Sequence, residues 1–178
     1  DHLSNTPRQI ALLEALNLKI PEFIHVALFT GDDGAPLSKR NGSFSVKELK
    51  EIGYFPQAVI NYLSRVGHTI SDNELRDLEG LSSIFNVDNI STSPSRIDHD
   101  QLKFWQKNVV ESKNIEELSV WLESHLENLP KDIDKDSFIE LIKDNIIFPS
   151  EAVEYLDNLF VNSLSTIKEV EDLIKKSG

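Results

Sequence analysis

The sequence Phe23-Ile24-His25-Val26-Ala27-Leu28-Phe29 is a mostly apolar run that predicts a buried strand. The turn residues Gly31-Asp32-Asp33-Gly34 end the strand, and the basic loop Pro36-Leu37-Ser38-Lys39-Arg40-Asn41-Gly42 follows. A helix over residues 6–17 is predicted just before the strand, because Thr6-Pro7-Arg8-Gln9 combines an N-cap, a first-turn proline and a capping-box glutamine. Helix, strand, turn and loop in this order indicate an α/β segment whose loop lies near a strand end, where such sheets bind ligands.

The loop admits two interpretations from its residues alone. Glycine and polar residues around Ser38, Lys39 and Arg40 are typical of a solvated surface turn. The same residues could instead fold over a polyphosphate, where the lysine would supply positive charge to oxygens that become more negative during a reaction. The choice between a turn and a phosphate-binding loop depends on the rest of the chain.

Composition limits the class of protein. The chain has 178 residues, 39% of them hydrophobic, and no run approaches the ~20 apolar residues of a membrane span, so we expect a soluble globular protein. It lacks cysteine, which excludes disulfides and thiolate metal sites and fits a cytoplasmic location. It begins at Asp1 and contains no methionine, which indicates a piece of a longer protein.

Charge is distributed unevenly along the chain. The formal net charge is −12, and most of the acidic excess lies in residues 98–178. An acidic surface repels phosphate backbones, so any nucleic-acid contact in this half must be local. Arg65, at a predicted helix end, could interact with the helix dipole or with a phosphate.

Helix signals dominate the rest of the chain. Ser45-Val46-Lys47-Glu48 is a capping box, Gly53 stands where a left-handed C-cap belongs, and Pro56 begins the next helix. A short helix is predicted from Ser71 to Leu78, and the polar residues 80–97 predict a domain boundary. Further helices are predicted to begin near Asp98, Asn114, Ser137, Glu151 and Thr166. The predicted fold class is therefore mainly α, with a small α/β N-terminal part.

Common catalytic and binding signatures are missing from the sequence. The five histidines have no metal-site spacing, so no metal ligands are predicted, and neither GxxxxGK[ST] nor GxGxxG occurs. Trp105 and Trp121 lie on apolar stripes, which favours core packing over base stacking.

Several stretches together resemble bacterial glutamyl-tRNA synthetase, a class I aminoacyl-tRNA synthetase. They are Asp1 to Gln9, His25 to Phe29, Leu37-Ser38-Lys39-Arg40, Gly53 to Leu63 and Ile97 to Trp105. The order of these stretches and the spacing between them resemble the family, as do the residues themselves. The resemblance is strong over residues 1–110 and weaker beyond, where only helical character persists.

The resemblance implies an enzyme that activates glutamate with ATP and Mg²⁺ and transfers it to tRNA. Lys39 matches the lysine that stabilises the pyrophosphate side of the adenylation transition state, and Ser38 and Arg40 would assist it. The remaining ATP-binding residues implied by the family are Asp1 and His2 in the pocket, and Leu28 and Phe29 near adenine.

The resemblance also implies a domain order. Residues 1–30 would end a Rossmann-like nucleotide-binding domain, residues 31–96 would hold the signature loop and the stem-contact region, and residues 97–178 would form a helical anticodon-binding-type bundle. A monomer is expected. The implied tRNA-binding residues are Arg65, Arg96, Lys103 and Lys107.

The chain departs from the family in three respects. Pro36 replaces the lysine that usually begins the loop, the histidine signature of the N-terminal half is missing, and the second half is acidic. We therefore expect the chain alone to be inactive. The acidic second half could carry a local basic patch or serve as a scaffold. The alternatives are a glutaminyl-tRNA synthetase and a non-catalytic RNA-binding module derived from a synthetase.

Overall fold

The computed structural model describes residues 2–31, 34, 35, 37 and 45–161, and these residues are mainly helical. Two short strands, β1 (Phe29–Thr30) and β2 (Ser95–Arg96), form a parallel pair. Short 3₁₀ turns occupy Val87–Asn89, Glu123–His125 and Lys143–Asn145, and a π-helical turn occupies Asp157–Val161. The α-helices are α1 (Thr6–Ala15), α2 (Val46–Ile52), α3 (Pro56–Leu63), α4 (Leu78–Ile84), α5 (His99–Ser112), α6 (Ile115–Trp121), α7 (Lys135–Ile142) and α8 (Pro149–Leu156).

The chain divides into two compact units. The first unit comprises residues 1–45 and 60–99, and the second comprises residues 46–59 and 100–178. The mainly helical fold predicted from the sequence is confirmed, together with a small sheet near the N-terminal part. None of the helices in the described ranges combines the length and apolar character that a membrane crossing requires.

The predicted strand over residues 23–29 is longer than the strand that forms. Pairing with β2 begins at Leu28, whose carbonyl accepts a hydrogen bond from the Ser95 amide at 3.1 Å, and the Thr30 carbonyl accepts one from Ile97 at 3.2 Å. Residues 23–28 nevertheless alternate in burial as a strand does, because every second side chain is exposed. The apolar pattern therefore predicted the alternation but not the ladder, which needs a partner strand.

The predicted helix from Ser71 to Leu78 is wrong. Residues 71–77 are not helical, and α4 begins at Leu78, where the Asp77 carboxylate accepts from the Gly80 amide at 2.8 Å. The carbonyls of Asp72 and Glu74 accept hydrogen bonds from Arg65. Arg65, which lies seven and nine residues before them in the sequence, therefore holds these carbonyls in a loop.

The second unit contains an extended apolar core. It is made by α5 to α8 and the turns between them, and its fully buried members include Val110, Leu118, Leu122, Ile139, Ile142 and Ile146. The predicted capping box of α6 is confirmed, since Asn114 accepts from the Glu117 amide at 2.8 Å and Glu117 accepts from the Asn114 amide at 3.2 Å. Trp105 is 1% exposed, which confirms its predicted place in the core.

The last two helices in the described residues begin at Lys135 and Pro149, each two residues before its predicted start. α7 covers Lys135–Ile142 and passes into a 3₁₀ turn, and α8 begins at Pro149 with the Glu151 carboxylate accepting from the Ile147 amide at 2.6 Å. The helix predicted from Thr166 lies outside the described residues.

The turn between α2 and α3 requires glycine at position 53. Gly53 has φ +104°, as the predicted left-handed C-cap demands. A Cβ built on Gly53 would lie 2.8 Å from Pro149 Cγ and still closer to Cδ. Position 53 therefore needs glycine both for its backbone angle and for the space that Pro149 occupies.

Candidate functional site

The structure describes residues on either side of the basic loop. Ser38, Lys39 and Arg40, together with Asp1, lie outside the described residues. Before the loop, the Gly31 amide donates to the Ala35 carbonyl at 2.9 Å, and the Leu37 amide donates to the Phe29 carbonyl at 3.2 Å. Leu37 therefore returns to β1, and the segment that leads into the Ser-Lys-Arg tripeptide begins beside that strand.

Leu28 and Phe29, which the family resemblance places near adenine, lie at the start of the strand pair. Their carbonyls accept hydrogen bonds from Ser95 and Leu37, respectively. The Leu28 side chain is 42% exposed, whereas Phe29 is half-buried and lies against the apolar interior of the first unit. The exposed face at this strand is thus on the Leu28 side, next to the turn that precedes the basic loop.

His2 belongs to a hydrogen-bonded cluster at the start of α1. The hydroxyl of Thr6, which is buried, donates to the His2 carbonyl at 3.3 Å and lies 3.0 Å from His25 Nε2. Since that hydroxyl proton is used, the His25 ring must donate to the Thr6 oxygen. The His2 ring lies 3.1 Å from the Asn5 side-chain amide. The start of α1 is therefore fastened to the segment that precedes β1.

Several large apolar side chains are exposed on the segment before β1 and on α1. On the segment before β1, Ile24, Val26 and Leu28 are 55%, 65% and 42% exposed, while the residues between them are half-buried. Leu12 and Leu16 of α1 are also largely exposed. Exposed apolar side chains that adjoin one another are typical of a surface that contacts another part of a protein or a ligand.

Arg65 is engaged within the first unit. Its Nη1 donates to the Asn61 carbonyl at 2.9 Å, its Nη2 to the Glu74 carbonyl at 2.8 Å, and its Nε to the Asp72 carbonyl at 3.2 Å. The side chain is 9% exposed. Burial lowers the pKa of Arg65, and the nearby Asp72 carboxylate opposes that shift. The guanidinium thus connects the end of α3 to residues 72–74, and its role in tRNA binding stays a prediction.

Asp72 and Arg76 complete this polar network. Arg76 donates to the two Asp72 oxygens at 2.6 and 3.3 Å, and its guanidinium also lies 2.5 Å from Glu74. The hydrogen bond from Arg76, followed by the one from the Glu74 amide, lowers the pKa of Asp72 from 3.8 to about 2. The same hydrogen bond to Asp72 raises the pKa of Arg76.

The other predicted tRNA contacts differ in how accessible they are. Arg96 on β2 and Lys103 on α5 are exposed. Lys107, one turn after Lys103, donates to the Asp144 carbonyl and lies 3.5 Å from the Glu111 carboxylate. Of these three cations, Lys107 is the one whose charge is already met by acidic and carbonyl oxygens of its own unit.

Two buried polar residues were missed by the sequence reasoning. Asn61 and Gln106 are both fully buried. Asn61 accepts from the Arg76 amide at 3.1 Å and donates to the Arg76 carbonyl at 2.6 Å. Each residue is a polar side chain within a stripe of apolar neighbours on its helix, and that pattern was the available signal.

Gln106 is the centre of a hydrogen-bonded cluster in the second unit. Its side chain accepts from the Phe55 amide at 2.9 Å and donates to the carbonyls of Gly53 and Ile147, both at 3.1 Å. The Trp121 indole also donates to the Gly53 carbonyl, at 2.9 Å. The turn from Gly53 to Phe55 is therefore held by side chains that follow it by about fifty residues or more in sequence.

No group of three or more His, Asp or Glu side chains among the described residues is placed to hold a metal ion. The acidic residues of the second unit serve other purposes. For example, Asp134 caps α7, and hydrogen bonds from the Ser137 hydroxyl and amide lower its pKa. These carboxylates act as helix caps and ion-pair partners.

Comparison with known families identifies the class of protein. The sequence model of the catalytic domain of class I tRNA synthetases (E and Q) matches residues 1–104. The chain belongs to this family. The class predicted from the sequence motifs is therefore confirmed.

Curated relatives point to one kind of synthetase within the family. The chain is 42% identical over its whole length to glutamate–tRNA ligase 2 of Alkalilimnicola ehrlichii and 42% identical to glutamate–tRNA ligase 1 of Halorhodospira halophila. It covers 38% and 37% of those two proteins. The chain thus spans less than half the length of the relatives that it matches, and the resemblance to glutamyl-tRNA synthetases extends to its acidic C-terminal half.

Solved structures support the fold. The crystal structure of glutamate–tRNA synthetase from Elizabethkingia anophelis matches 86% of this chain with a TM-score of 0.77 at 21% identity, and the chain covers 35% of that protein. A glutamate–tRNA ligase from Elizabethkingia meningosepticum, solved in complex with its amino acid, matches the same share with a TM-score of 0.74. At this level of identity, the two matches concern the fold alone.

Proposed function

We propose that the chain is part of a glutamate–tRNA ligase, which activates glutamate with ATP and transfers it to tRNA. The observation that carries the proposal is the alignment of the whole chain with curated glutamate–tRNA ligases at about 40% identity. Relatives of this name favour glutamate over the glutaminyl alternative. In the full-length protein, this chain would supply the phosphate-binding loop and surfaces that contact tRNA.

The loop would act at the phosphates of ATP. β1 and the Leu37–Phe29 hydrogen bond start the loop next to the residues expected near adenine. Lys39 would then place its ammonium against the phosphates as negative charge develops during adenylation. Mg²⁺ would accompany ATP as its counter-ion, with Ser38 and Arg40 shaping the loop. Asp1 and His2 would line the pocket from the start of α1.

The domain assignment follows the same proposal. Residues 1–30 would end the Rossmann-like catalytic domain, residues 31–96 would form the signature loop and stem-contact region, and residues 97–178 would form the anticodon-binding-type bundle. We further propose a cytoplasmic, monomeric enzyme, and a fragment that is inactive alone because the rest of the catalytic domain is needed.

The accessible cations are the better candidates for tRNA contacts. Arg96 and Lys103 are exposed, whereas Arg65 and Lys107 already serve partners in their own units. We therefore expect Arg96→Ala and Lys103→Ala each to weaken tRNA binding and to reduce its salt dependence, because each removes about one phosphate contact. We expect Arg65→Ala to act mainly through the stability of the first unit.

The test is a Lys39→Ala substitution in the full-length protein that contains this chain. We expect ATP–pyrophosphate exchange with glutamate to fall by about 10²–10³, the usual effect of removing one preorganised charge from a transition state. Lys47→Ala is the matched control, because Lys47 is 84% exposed and forms an ion pair with Glu51 one turn away. Unchanged exchange by the Lys39 variant would refute the role of the lysine.

The same assay separates the enzyme from the alternative module. The non-catalytic module predicts tRNA binding by the full-length protein with no pyrophosphate exchange for glutamate or glutamine. The ligase predicts exchange with glutamate. Exchange with glutamine alone would transfer the proposal to the glutaminyl enzyme.

A further inference from the structure

The hydroxyl of Thr6 does not cap the helix that it begins. α1 starts at Thr6 with Asn5 as its N-cap residue, and the Asn5 side chain makes no capping hydrogen bond. A hydroxyl at a helix start usually accepts from an amide of the first turn. The Thr6 hydroxyl instead donates to the His2 carbonyl at 3.3 Å and lies 3.0 Å from His25 Nε2. Thr6 is 8% exposed, so its hydroxyl makes a buried connection between the start of α1 and the segment before β1.

The backbone of His2 is held in place by Thr6 and Asn5. Besides the Thr6 hydroxyl, the His2 carbonyl accepts from the Asn5 amide at 2.9 Å and from the Thr6 amide at 3.2 Å. The residue itself is exposed, and its ring lies 3.1 Å from the Asn5 side-chain amide. The position of His2 therefore follows that of Thr6, while the histidine remains accessible to solvent.

His25 stands on the segment that leads into β1. It lies three residues before Leu28 and four before Phe29, whose carbonyls are held by the amides of Ser95 and Leu37. In an extended chain, residues 25 and 29 share one face, and both are half-buried, whereas Leu28 belongs to the exposed face. The bond at His25 and the bonds at the strand therefore fix this segment at both of its ends.

Apolar packing does not supply the same connection. On α1, Leu12 and Leu16 are 63% and 66% exposed, and on the segment before β1, Ile24 and Val26 are 55% and 65% exposed. Contacts between apolar side chains are also non-directional, whereas a hydrogen bond fixes both a distance and an orientation. The orientation of α1 relative to this segment is thus determined in large part by the buried polar contact.

We propose that Thr6 and His25 are positioning residues for ATP. Their hydrogen bond would set the separation between two sides of the nucleotide pocket, with His2 on one side and Leu28 and Phe29 on the other. This role rests on the proposed function, which places those three residues around ATP. Neither Thr6 nor His25 has to touch the nucleotide. Loss of the bond would let the two sides shift relative to each other and would weaken ATP binding.

The experiment compares Thr6→Val with Thr6→Ser in the full-length protein that contains this chain. Valine has nearly the shape of threonine but no hydroxyl, whereas serine keeps the hydroxyl. In ATP–pyrophosphate exchange, we expect Thr6→Val to raise the KM for ATP about fivefold, the effect of one lost hydrogen bond, and to leave the KM for glutamate unchanged. Thr6→Ser should keep the original KM for ATP.

Thr92→Val is the matched control, because it makes the same chemical change at an exposed position of the first unit. It should leave the KM for ATP unchanged. An unchanged KM for ATP in Thr6→Val would overturn the positioning role, as would equal increases in Thr6→Val and Thr6→Ser.

A double-variant cycle tests whether the two residues act through one bond. His25→Phe keeps an aromatic ring and removes the nitrogen that contacts Thr6. If the bond carries the effect, the double variant should raise the KM for ATP about fivefold, as each single change does, rather than about 25-fold. Multiplied effects would show that the residues act separately and would overturn the role of the bond.

The split between KM and kcat distinguishes positioning from stability. A substitution that only unfolds part of the enzyme lowers the apparent kcat and leaves the KM for ATP unchanged. That result would assign a purely structural role and overturn the proposal.

A separate binding measurement distinguishes this role from the proposed function. Absence of exchange by the unsubstituted protein would overturn the ligase activity, and ATP binding by equilibrium dialysis would then decide the positioning role. A Kd about fivefold higher for Thr6→Val than for the unsubstituted protein would support the role. Equal Kd values, or no binding of ATP by the unsubstituted protein, would overturn it.

Discussion

The two units of this chain bury their apolar residues to different extents. In the second unit, the helices α5 to α8 surround a continuous core of fully buried aliphatic side chains. In the described part of the first unit, the buried apolar residues are Tyr62 and Leu81 alone. The first unit instead contains the polar network of Asn61, Arg65 and Arg76 and exposes many large apolar side chains.

The two units differ in where their apolar residues lie: in a core in the second unit and largely on the surface in the first. The second unit buries a continuous cluster of apolar side chains, and burial of apolar surface is the dominant favourable contribution to folding. The first unit presents apolar residues such as Leu12, Ile24 and Val26 to solvent, and hydrogen bonds to buried polar groups hold its loops. Such a surface is expected to be covered when the unit stands in a longer protein. The substitutions below test the contrast, starting with the largest expected effect.

An Ile139→Ala substitution tests the apolar core of the second unit. Ile139 is fully buried, and we expect a loss of about 2–5 kcal/mol in the free energy of unfolding from the cavity left behind. Both tryptophans, Trp105 and Trp121, belong to this unit, so their fluorescence during urea unfolding measures it selectively. Leu141→Ala is the control on the same helix, because Leu141 is 63% exposed and should change stability by about 0.5 kcal/mol or less. Equal losses would remove the contrast.

Two glycines with positive φ compare the crowding in the two units. Gly53→Ala should cost about 2–4 kcal/mol, because backbone strain adds to the overlap with Pro149. Gly34→Ala in the first unit should cost only about 1–2 kcal/mol, since a Cβ at Gly34 meets no described atom within 4 Å. Urea unfolding of each variant gives the two values. A larger loss of stability for Gly34→Ala than for Gly53→Ala would contradict the expected effect of crowding by Pro149.

An Asn61→Ala substitution tests the polar network of the first unit. It leaves the Arg76 amide and carbonyl without their partner, and we expect a loss of about 1–3 kcal/mol. Hydrogen exchange at the Arg76 amide reports this hydrogen bond directly and should become faster. Asn73→Ala, on an exposed residue nearby, is the control and should leave the exchange rate unchanged. Unchanged exchange in the Asn61 variant would show that the network does not hold this loop.

The smallest expected effect is a pH dependence from Asp72. Its pKa falls from 3.8 to about 2 in the folded protein, so its contribution to stability is present above about pH 4 and is lost as the pH falls towards 2. Because the carboxylate is exposed, we expect a shallow slope. A carboxyl NMR titration measures the pKa, and Asp72→Asn should flatten the pH dependence of unfolding in the first unit. Titration near 3.8 would contradict the ion pair with Arg76.

Local signals in the sequence predicted local features well. The Asn114–Glu117 capping box and the left-handed Gly53 are set by residues within one or two turns, and both occur as predicted. The Ser71–Leu78 helix shows where such signals fail. Ser71 and Glu74 have the spacing of a capping box, yet the carbonyls of Asp72 and Glu74 accept hydrogen bonds from Arg65 and lie in a loop.

Among the functional and buried polar residues, those in consecutive motifs were predicted from the sequence, whereas those with distant partners were not. The stretch around Lys39 identified the family together with Asp1 to Gln9 and His25 to Phe29, because each stretch consists of consecutive residues, and the family model and curated relatives agree with that identification. Gln106 escaped notice, because its partners Gly53, Phe55 and Ile147 are about forty to fifty residues away in the chain. A stripe pattern shows that a polar residue faces the interior but not which groups it will meet.

By itself, the sequence determined the family, the helical character and some of the caps, such as those at Asn114 and Gly53, because these depend on neighbouring residues and on consecutive motifs. Only the tertiary structure decided that β1 pairs at Leu28 and beyond, and that Arg65 serves residues 72–74. It also decided that a cavity lies beside Phe29, with His68 and Phe85 among the residues that line it. The physical reason is that hydrogen-bond partners and packing neighbours come from distant parts of the chain, and folding alone brings them within contact distance.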